Sequence, residues 1–420
     1  MPRNFIWAPG NPLPNIEPHS DRKLEVLEKY LDVYFDTVVP NPATDCLNIT
    51  LVDGFCGGGA YDSKDAVRFG SPLILLKAVE SAEARLNEQR AKPLRINARF
   101  IFVDDTQDHI EALREQMIAQ GYQEKIGNGV ELICGRFDEE LGRILSTIKA
   151  SQRAGRSIFV LDQFGYSDVP MDSVKSIFST LDRPEVLLTF AIDGLLNYLR
   201  EESATQDLYR QFGVDQRFVE AWQENKYSDQ VGRMLSQRML MTNIQRSSGA
   251  EFFTPFMLWS RTDNRWMMIA HLSRHQAARD KMLGVHWESQ NSFRHFGRGS
   301  LFNLGYDPRV LESKDSLFNF SDADRDKVAS ELLEEIPREI SALVDGTPLA
   351  ISDFLEKIGN RTAATNADMF SVISDLSVAN EVEVISKSGN LRRLGTKIRL
   401  DDRLRLPSQS LLFSLRPKNN

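Results

Sequence analysis

From about residue 47 to residue 190 the chain alternates between two hydrophobic patterns. Short unbroken apolar runs occupy 47–53, 99–104, 130–135, 157–162 and 185–190. Between them lie stretches whose apolar residues recur every third or fourth place, at 71–90, 107–121, 139–151 and 171–181. The first pattern predicts strands buried on both faces and the second predicts amphipathic helices. A helix over 21–39 precedes them, with Leu24, Leu27, Leu31 and Tyr34 on one face, and Pro40-Asn41-Pro42 ends it. Ser71-Pro72 starts the next helix, serine at the cap and proline at the first helical position. Strands alternating with helices in this way predict a mostly parallel sheet covered on both sides. A sixth strand over 265–271 completes the sheet and leaves about 195–262 as a helical insertion. Residues 1–20, rich in Pro, Asn and Gly, read as a surface arm.

The last eighty residues differ. Helices are predicted over 351–358 and 366–379, the second with Met369, Val372, Ile373 and Leu376 on one face. Strands over 382–386 and 397–400 flank a Ser388-Gly389-Asn390 turn. Helix, helix, hairpin is the order of a winged helix-turn-helix. The sequence therefore divides into an α/β domain over 1–300, a linker over 301–335 and a winged-helix-like domain over 336–420.

Composition narrows the choices. The chain has 420 residues, 41% hydrophobic and 26% charged, which suits a globular protein of two or three domains. A formal net charge of −8 excludes a basic nucleic-acid coat. The charge is uneven, however. Residues 387–418 carry nine Lys or Arg against Asp401 and Asp402. Arg392, Arg393 and Lys397 are the candidates for nucleic-acid contact there. The alternative is a solvated hairpin whose charges protect an edge strand. Cys46, Cys56 and Cys134 form no Cys-x-x-Cys pair, which argues against a disulfide framework or a cysteine-rich zinc site. His271 and His275 stand four apart, but Leu272 replaces the glutamate that a zincin helix needs, so no metal is expected. With no signal peptide and no apolar run of membrane-spanning length, the expected location is cytoplasmic, with no membrane partner.

Candidate chemistry gathers where the apolar runs end. The first run delivers Asp53 into a turn containing Phe55, Gly57 and Gly59. Glycines there let backbone approach a ligand. A dinucleotide turn would place a third glycine where Asp62 stands, and a carboxylate there repels a pyrophosphate. A nucleoside with a cationic centre fits better, and S-adenosylmethionine is one. The second run ends at Asp104 and Asp105, acids suited to ribose hydroxyls, or to capping the helix that follows. Phe137 and Asp138, after the third run, offer a ring for an adenine and an acceptor for its amine, or again a cap. The fourth ends in Asp162, Gln163 and Phe164: an acid to hold an attacking amine, an amide, and a ring to stack on a flat acceptor, or a turn with a buried Phe. Methyl transfer asks for little more than such positioning. No Pro-Cys pair occurs, so cytosine-C5 chemistry is excluded.

Taken together, these segments resemble the three-Cys-motif partner proteins, a bacterial and phage-linked family with a methyltransferase-like fold. The residues that carry the resemblance are 23–31, the turn at 52–59, Gly70-Ser71-Pro72, Asp162-Gln163-Phe164-Gly165 and 279–287. It covers about residues 20–300. It implies a Rossmann-like S-adenosylmethionine methyltransferase sheet, binding of that cofactor, and action with a three-Cys-motif partner protein. Gln163 stands where the family has proline, a residue that stiffens the loop presenting the target amine. Three readings remain open: a methyltransferase acting on nucleic acid or protein, a degenerate adaptor or specificity subunit, and a winged-helix nucleic-acid-binding module.

Overall fold

The computed structural model describes residues 6–63, 66–88, 90–151, 155–163, 168–190, 243–260, 265–289, 295–296, 317–318, 321–343 and 347–407. The chain forms two compact units, one of residues 1–298 and 304–321, the other of 299–303 and 322–420.

The first unit is built on a seven-stranded sheet. Its members are β1 (Cys46–Asp53), β4 (Arg95–Asp104), β5 (Val130–Cys134), β6 (Ser157–Leu161), β7 (Pro184–Phe190), β8 (Phe252–Ser260) and β9 (Arg265–Ser273). A separate hairpin, β2 (Ala60–Ser63) with β3 (Ala66–Phe69), follows the glycine turn. The sheet order is β5-β4-β1-β6-β7-β9-β8. Neighbours from β5 through β7 run parallel. Only β9 runs against the rest, between β7 and β8. Numbering the sheet strands alone along the chain gives 3-2-1-4-5-7-6, a Rossmann-like arrangement with one reversed strand near an edge.

Strands buried on both faces explain the unbroken apolar runs. Val52, Ile101, Val103, Phe159, Leu161, Val186 and Leu188 share one core cluster with α4 (Phe137–Ser151) and α5 (Met171–Thr180). The intervening Leu51, Phe100, Phe102, Ile158, Val160 and Leu187 are buried on the other face. Three further helices are α1 (Pro18–Val38), α2 (Ser71–Asn87) and α6 (Gln276–Glu288), and α1 packs against both α2 and α6. Helix α3 (Gln107–Ala119) links β4 to β5.

Several expectations change. The predicted helical insertion over 195–262 contains β8, a strand; its residues 195–242 lie outside the described residues. The arm over 1–20 is not merely a surface segment, because Trp7 is buried and Nε1 donates to the Ala60 carbonyl at 2.7 Å. The linker predicted over 301–335 gives way at residue 322 to α7 (Asp322–Leu343), which buries Val328, Leu332, Ile336 and Ile340, a stripe at four-residue spacing.

The second unit contains α7, β10 (Leu349–Ala350), α8 (Ile351–Ile358), α9 (Asn366–Val378), β11 (Glu383–Ile385) and β12 (Arg403–Arg405). Thr365 caps α9 in a reciprocal pair, accepting from the Asp368 N–H while Asp368 accepts from the Thr365 N–H. The three short strands form one sheet with β12 in the middle. The strand predicted over 397–400 lies instead at Arg403–Arg405. Gly395, at φ 75°, and a turn closed by Thr396 N–H donating to Arg393 O break the earlier segment, while the Leu404 side chain has a core to enter.

Candidate functional site

Parallel strands place their carboxyl ends along one edge, and three of them end in acids. Asp53 closes β1, Asp104 closes β4 and Asp162 follows β6. The backbone ties the loops together at this edge: Gly54 N–H donates to Val160 O at 2.9 Å, Cys56 N–H to Val103 O at 2.9 Å, and Gly135 N–H to Asp104 O at 3.0 Å.

Asp53 is completely buried. Its Oδ1 accepts the Phe55 N–H at 3.1 Å, and its Oδ2 is buried with no partner in hydrogen-bond geometry among the described residues, the Ser71 hydroxyl lying near the carboxyl. Burial pushes its pKa up to about 7; Asp162 and Asp104 add to the rise, and the Ser71 hydroxyl and Phe55 N–H oppose it. Ser71 reaches this point because Gly70 N–H donates to Gly59 O at 2.8 Å and folds the start of α2 back onto the turn.

Asp104 is held by the protein itself. Its Oδ2 accepts from Gly57 N–H at 3.1 Å, its Oδ1 accepts from Thr106 N–H at 3.0 Å, and His109 Nδ1 lies 2.9 Å from Oδ1. The residue therefore locks the glycine turn to the start of α3. Its neighbour Asp105 is exposed, accepts the Thr106 hydroxyl at 3.0 Å, and together with Asp104, Gly54, Phe55, Phe137 and Asp138 lines a pocket at this edge.

The glycines of the turn serve close packing. A Cβ on Gly58 would lie 2.2 Å from the Trp7 ring, one on Gly59 would lie 2.5 Å from the Leu113 side chain, and one on Gly54 would lie 2.9 Å from Phe137. Gly57 and Gly59 also have positive φ, 56° and 83°. Trp7 thus covers the Gly57-Gly58 side, with the Tyr61 and His109 rings edge-on at 5.2 and 5.0 Å. Phe137 is 2% exposed and packs against Phe55 and Phe159, joining the core while also lining the pocket. Asp138 pairs with Arg136 at 3.2 Å at the pocket mouth. Phe55, partly buried, is the aromatic ring beside the pocket.

At the end of β6, Asp162 accepts from Lys23 Nζ through both oxygens, at 2.7 and 2.6 Å. Gln163 is buried, and its Oε1 accepts from the Asp168 and Val169 N–H groups, each at 3.0 Å. Its side chain thereby closes the loop where the resembling family has proline. Its Nε2 is buried without a partner. Phe164 lies outside the described residues. Sequence reasoning missed Trp7 and Lys23: no periodicity marks Trp7, and Lys23 reads as one more charge on the polar side of α1.

In the second unit Arg392 is committed to Asp402, a fully buried carboxylate, with two hydrogen bonds at 2.6 and 2.7 Å. Arg393 and Lys397 are exposed in the loop between β11 and β12. Helix α9 contains no Lys or Arg. Among the described residues no helix is long and apolar enough to cross a membrane.

No family model and no curated protein matches the chain. Solved structures do. A Legionella pneumophila protein assigned to a domain family of unknown function is 8% identical over 59% of this chain and 85% of its own, with a TM-score of 0.34. The bifunctional kinase-methyltransferase WbdD is 15% identical over 66% of this chain and 44% of its own, TM-score 0.32. An S-adenosylmethionine-dependent methyltransferase from Agrobacterium tumefaciens is 11% identical over 62% of this chain and 64% of its own, TM-score 0.31. This chain thus matches less than half of WbdD and just under two thirds of the Agrobacterium enzyme.

Proposed function

We propose that the first unit is an S-adenosylmethionine-dependent methyltransferase whose cofactor lies across the carboxyl ends of β1, β4 and β5. The observation that carries this reading is Asp53: a buried carboxyl with one orphaned oxygen and a raised pKa, at the centre of an acid-lined edge. A cation bound beside it would favour its ionised form, and ionised it would repel a pyrophosphate. Ligands of α/β sheets sit at this edge. Phe55 and Gly54 would flank the nucleoside. Asp105, the more exposed of the two acids that line the pocket, would take the ribose hydroxyls, with Asp104 beside it. Asp138 is placed for the adenine amine once it turns from Arg136. Trp7 fills the Gly57-Gly58 face, so the methionyl tail would run on the Asp53 side. When bound, the cofactor supplies an electrophilic methyl group on a sulfonium.

Asp162 would orient an acceptor amine. It already holds a primary ammonium through both oxygens, that of Lys23, so the acceptor would replace Lys23 as the donor. The Gln163 side chain supplies the loop closure that proline supplies in the resembling family. The second unit follows the helix and strand order of a winged helix. With no basic residue on α9, its contact with nucleic acid would run through Arg393 and Lys397 to phosphates. The partner implied by the family resemblance would be a three-Cys-motif partner protein.

The test is a calorimetric titration of S-adenosylmethionine against the full chain and against Asp105→Ala and Phe55→Ala. The proposal expects binding by the native chain and weaker binding by both variants. No heat of binding in any of the three would end it. A second reading, a binding module without turnover, is favoured by Lys23 on Asp162 and Trp7 on the glycine turn. It predicts cofactor binding with no methyl transfer to nucleic acid or protein amines, even in Lys23→Met.

A further inference from the structure

The opposite end of the sheet holds a cleft that the cofactor reading does not use. It lies where β7 begins, beside the carboxyl half of α1 and the start of α6, and has a volume of about 270 Å³, partly open to solvent. The run of β6 from Ser157 to Leu161 separates it from the acid-lined edge, roughly 17 Å at the rise of a strand. Its charge has the other sign. Arg156, Arg183, Arg274 and Lys281 line it, against the carboxylates of Asp182 and Glu185.

Glu185 is already satisfied. It accepts the Tyr30 hydroxyl, and His271 Nε2 lies 3.1 Å from the same oxygen. Arg274 donates from Nη2 to the Phe178 carbonyl, but its Nε is buried with no partner. The wall between the cations is apolar and aromatic. Tyr30 and Tyr34 stand 6.1 Å apart, both buried, with Pro184 at the strand start. Guanidinium groups and aromatic rings lining one cleft match a planar or tetrahedral oxyanion attached to a compact apolar body. A free cation is disfavoured, because four cationic side chains face only the carboxylates of Asp182 and Glu185, and a neutral apolar molecule would leave that excess unmatched.

We propose that this amino-edge cleft is a second ligand site, taking a small organic oxyanion whose head meets Arg156, Arg183 and Lys281 and whose apolar body packs on Tyr34. The proposal does not depend on the cofactor reading, and its failure would leave that reading intact.

The test uses the full chain and four probes: phenyl phosphate, benzoate, inorganic phosphate and benzyl alcohol, each titrated by ligand-observed NMR and thermal unfolding. Phenyl phosphate or benzoate is expected to bind and raise Tm, inorganic phosphate to bind more weakly, and benzyl alcohol not to bind. The double variant Arg156→Gln/Arg183→Gln should weaken the best probe at least about tenfold, the equivalent of one lost charged hydrogen bond. Lys281→Gln, on an exposed side chain, should weaken it by a smaller factor while leaving the fold unchanged, and stands in should the double variant fail to fold. No binding of either aromatic anion, equal binding by benzyl alcohol, or unchanged affinity in Lys281→Gln would overturn the proposal.

Discussion

Replacing Asp53 by asparagine isolates the energetics of the acid-lined edge. Burial lifts this carboxyl to about 7 from an ordinary 3.8. An acid whose folded pKa lies above its unfolded pKa stays protonated longer in the folded chain. Its contribution to stability is therefore complete below about pH 4 and is lost as pH climbs through the folded value near 7. Each unit of difference corresponds to about 1.4 kcal/mol, so a gap of about three units amounts to roughly 4 kcal/mol. Asparagine keeps an oxygen for the Phe55 N–H and carries no charge to desolvate. Asp53→Asn should thus match the native chain near pH 4 and exceed its stability by up to roughly 4 kcal/mol at pH 8. Urea unfolding across that range, with the slope held common, measures the difference. A difference that stays constant with pH, or grows as pH falls, would refute the burial argument.

Trp7→Ala should destabilise the first unit by about 3–5 kcal/mol, the range for large aromatic truncations, and should speed amide exchange at Gly57, whose turn the indole covers. Gln163→Leu leaves the Asp168 and Val169 N–H groups without their acceptor and should cost roughly 2–4 kcal/mol in chemical denaturation, whereas Gln163→Glu, which retains an acceptor, should cost less. In the second unit, Arg392→Ala strands the buried Asp402 and should lower Tm. The pair Arg393→Ala/Lys397→Ala should leave Tm unchanged, weaken binding to nucleic acid of any sequence, and reduce the salt dependence by about two counter-ions.

The central sheet was legible because burial on both faces writes itself as unbroken apolar runs, and 47–53, 130–135 and 157–162 needed little else. Edges and short pieces were harder. Strand β8 contains Pro255, a residue that argues against a strand in general but is tolerated at an edge, where β8 lies with β9 as its neighbour. The β2–β3 hairpin is four residues a side and carries no long apolar signal. At the site, the acids were legible as residues that terminate apolar runs. Their division of labour was not, because it depends on contacts distant in sequence. Asp104 is bound by Gly57, 47 residues away, and Asp162 by Lys23, 139 residues away. Phe137, with Leu141, Ile144, Leu145 and Ile148, also starts the apolar stripe of α4, a helical spacing readable in the sequence. The two bonds Gln163 accepts, from the Asp168 and Val169 N–H groups, were likewise not legible in the sequence.

The central claim is that a sulfonium nucleoside is held against Asp53. A cation beside that carboxyl would draw its pKa down, so binding below neutrality must expel a proton. The most direct measurement is calorimetric titration of S-adenosylmethionine near pH 6 in buffers of differing ionisation enthalpy. Release approaching one proton, affinity that strengthens up to about pH 7 and then levels, and loss of both effects in Asp53→Asn are the results this account requires. Binding without proton release, equally tight at every pH and in the asparagine variant, would contradict it.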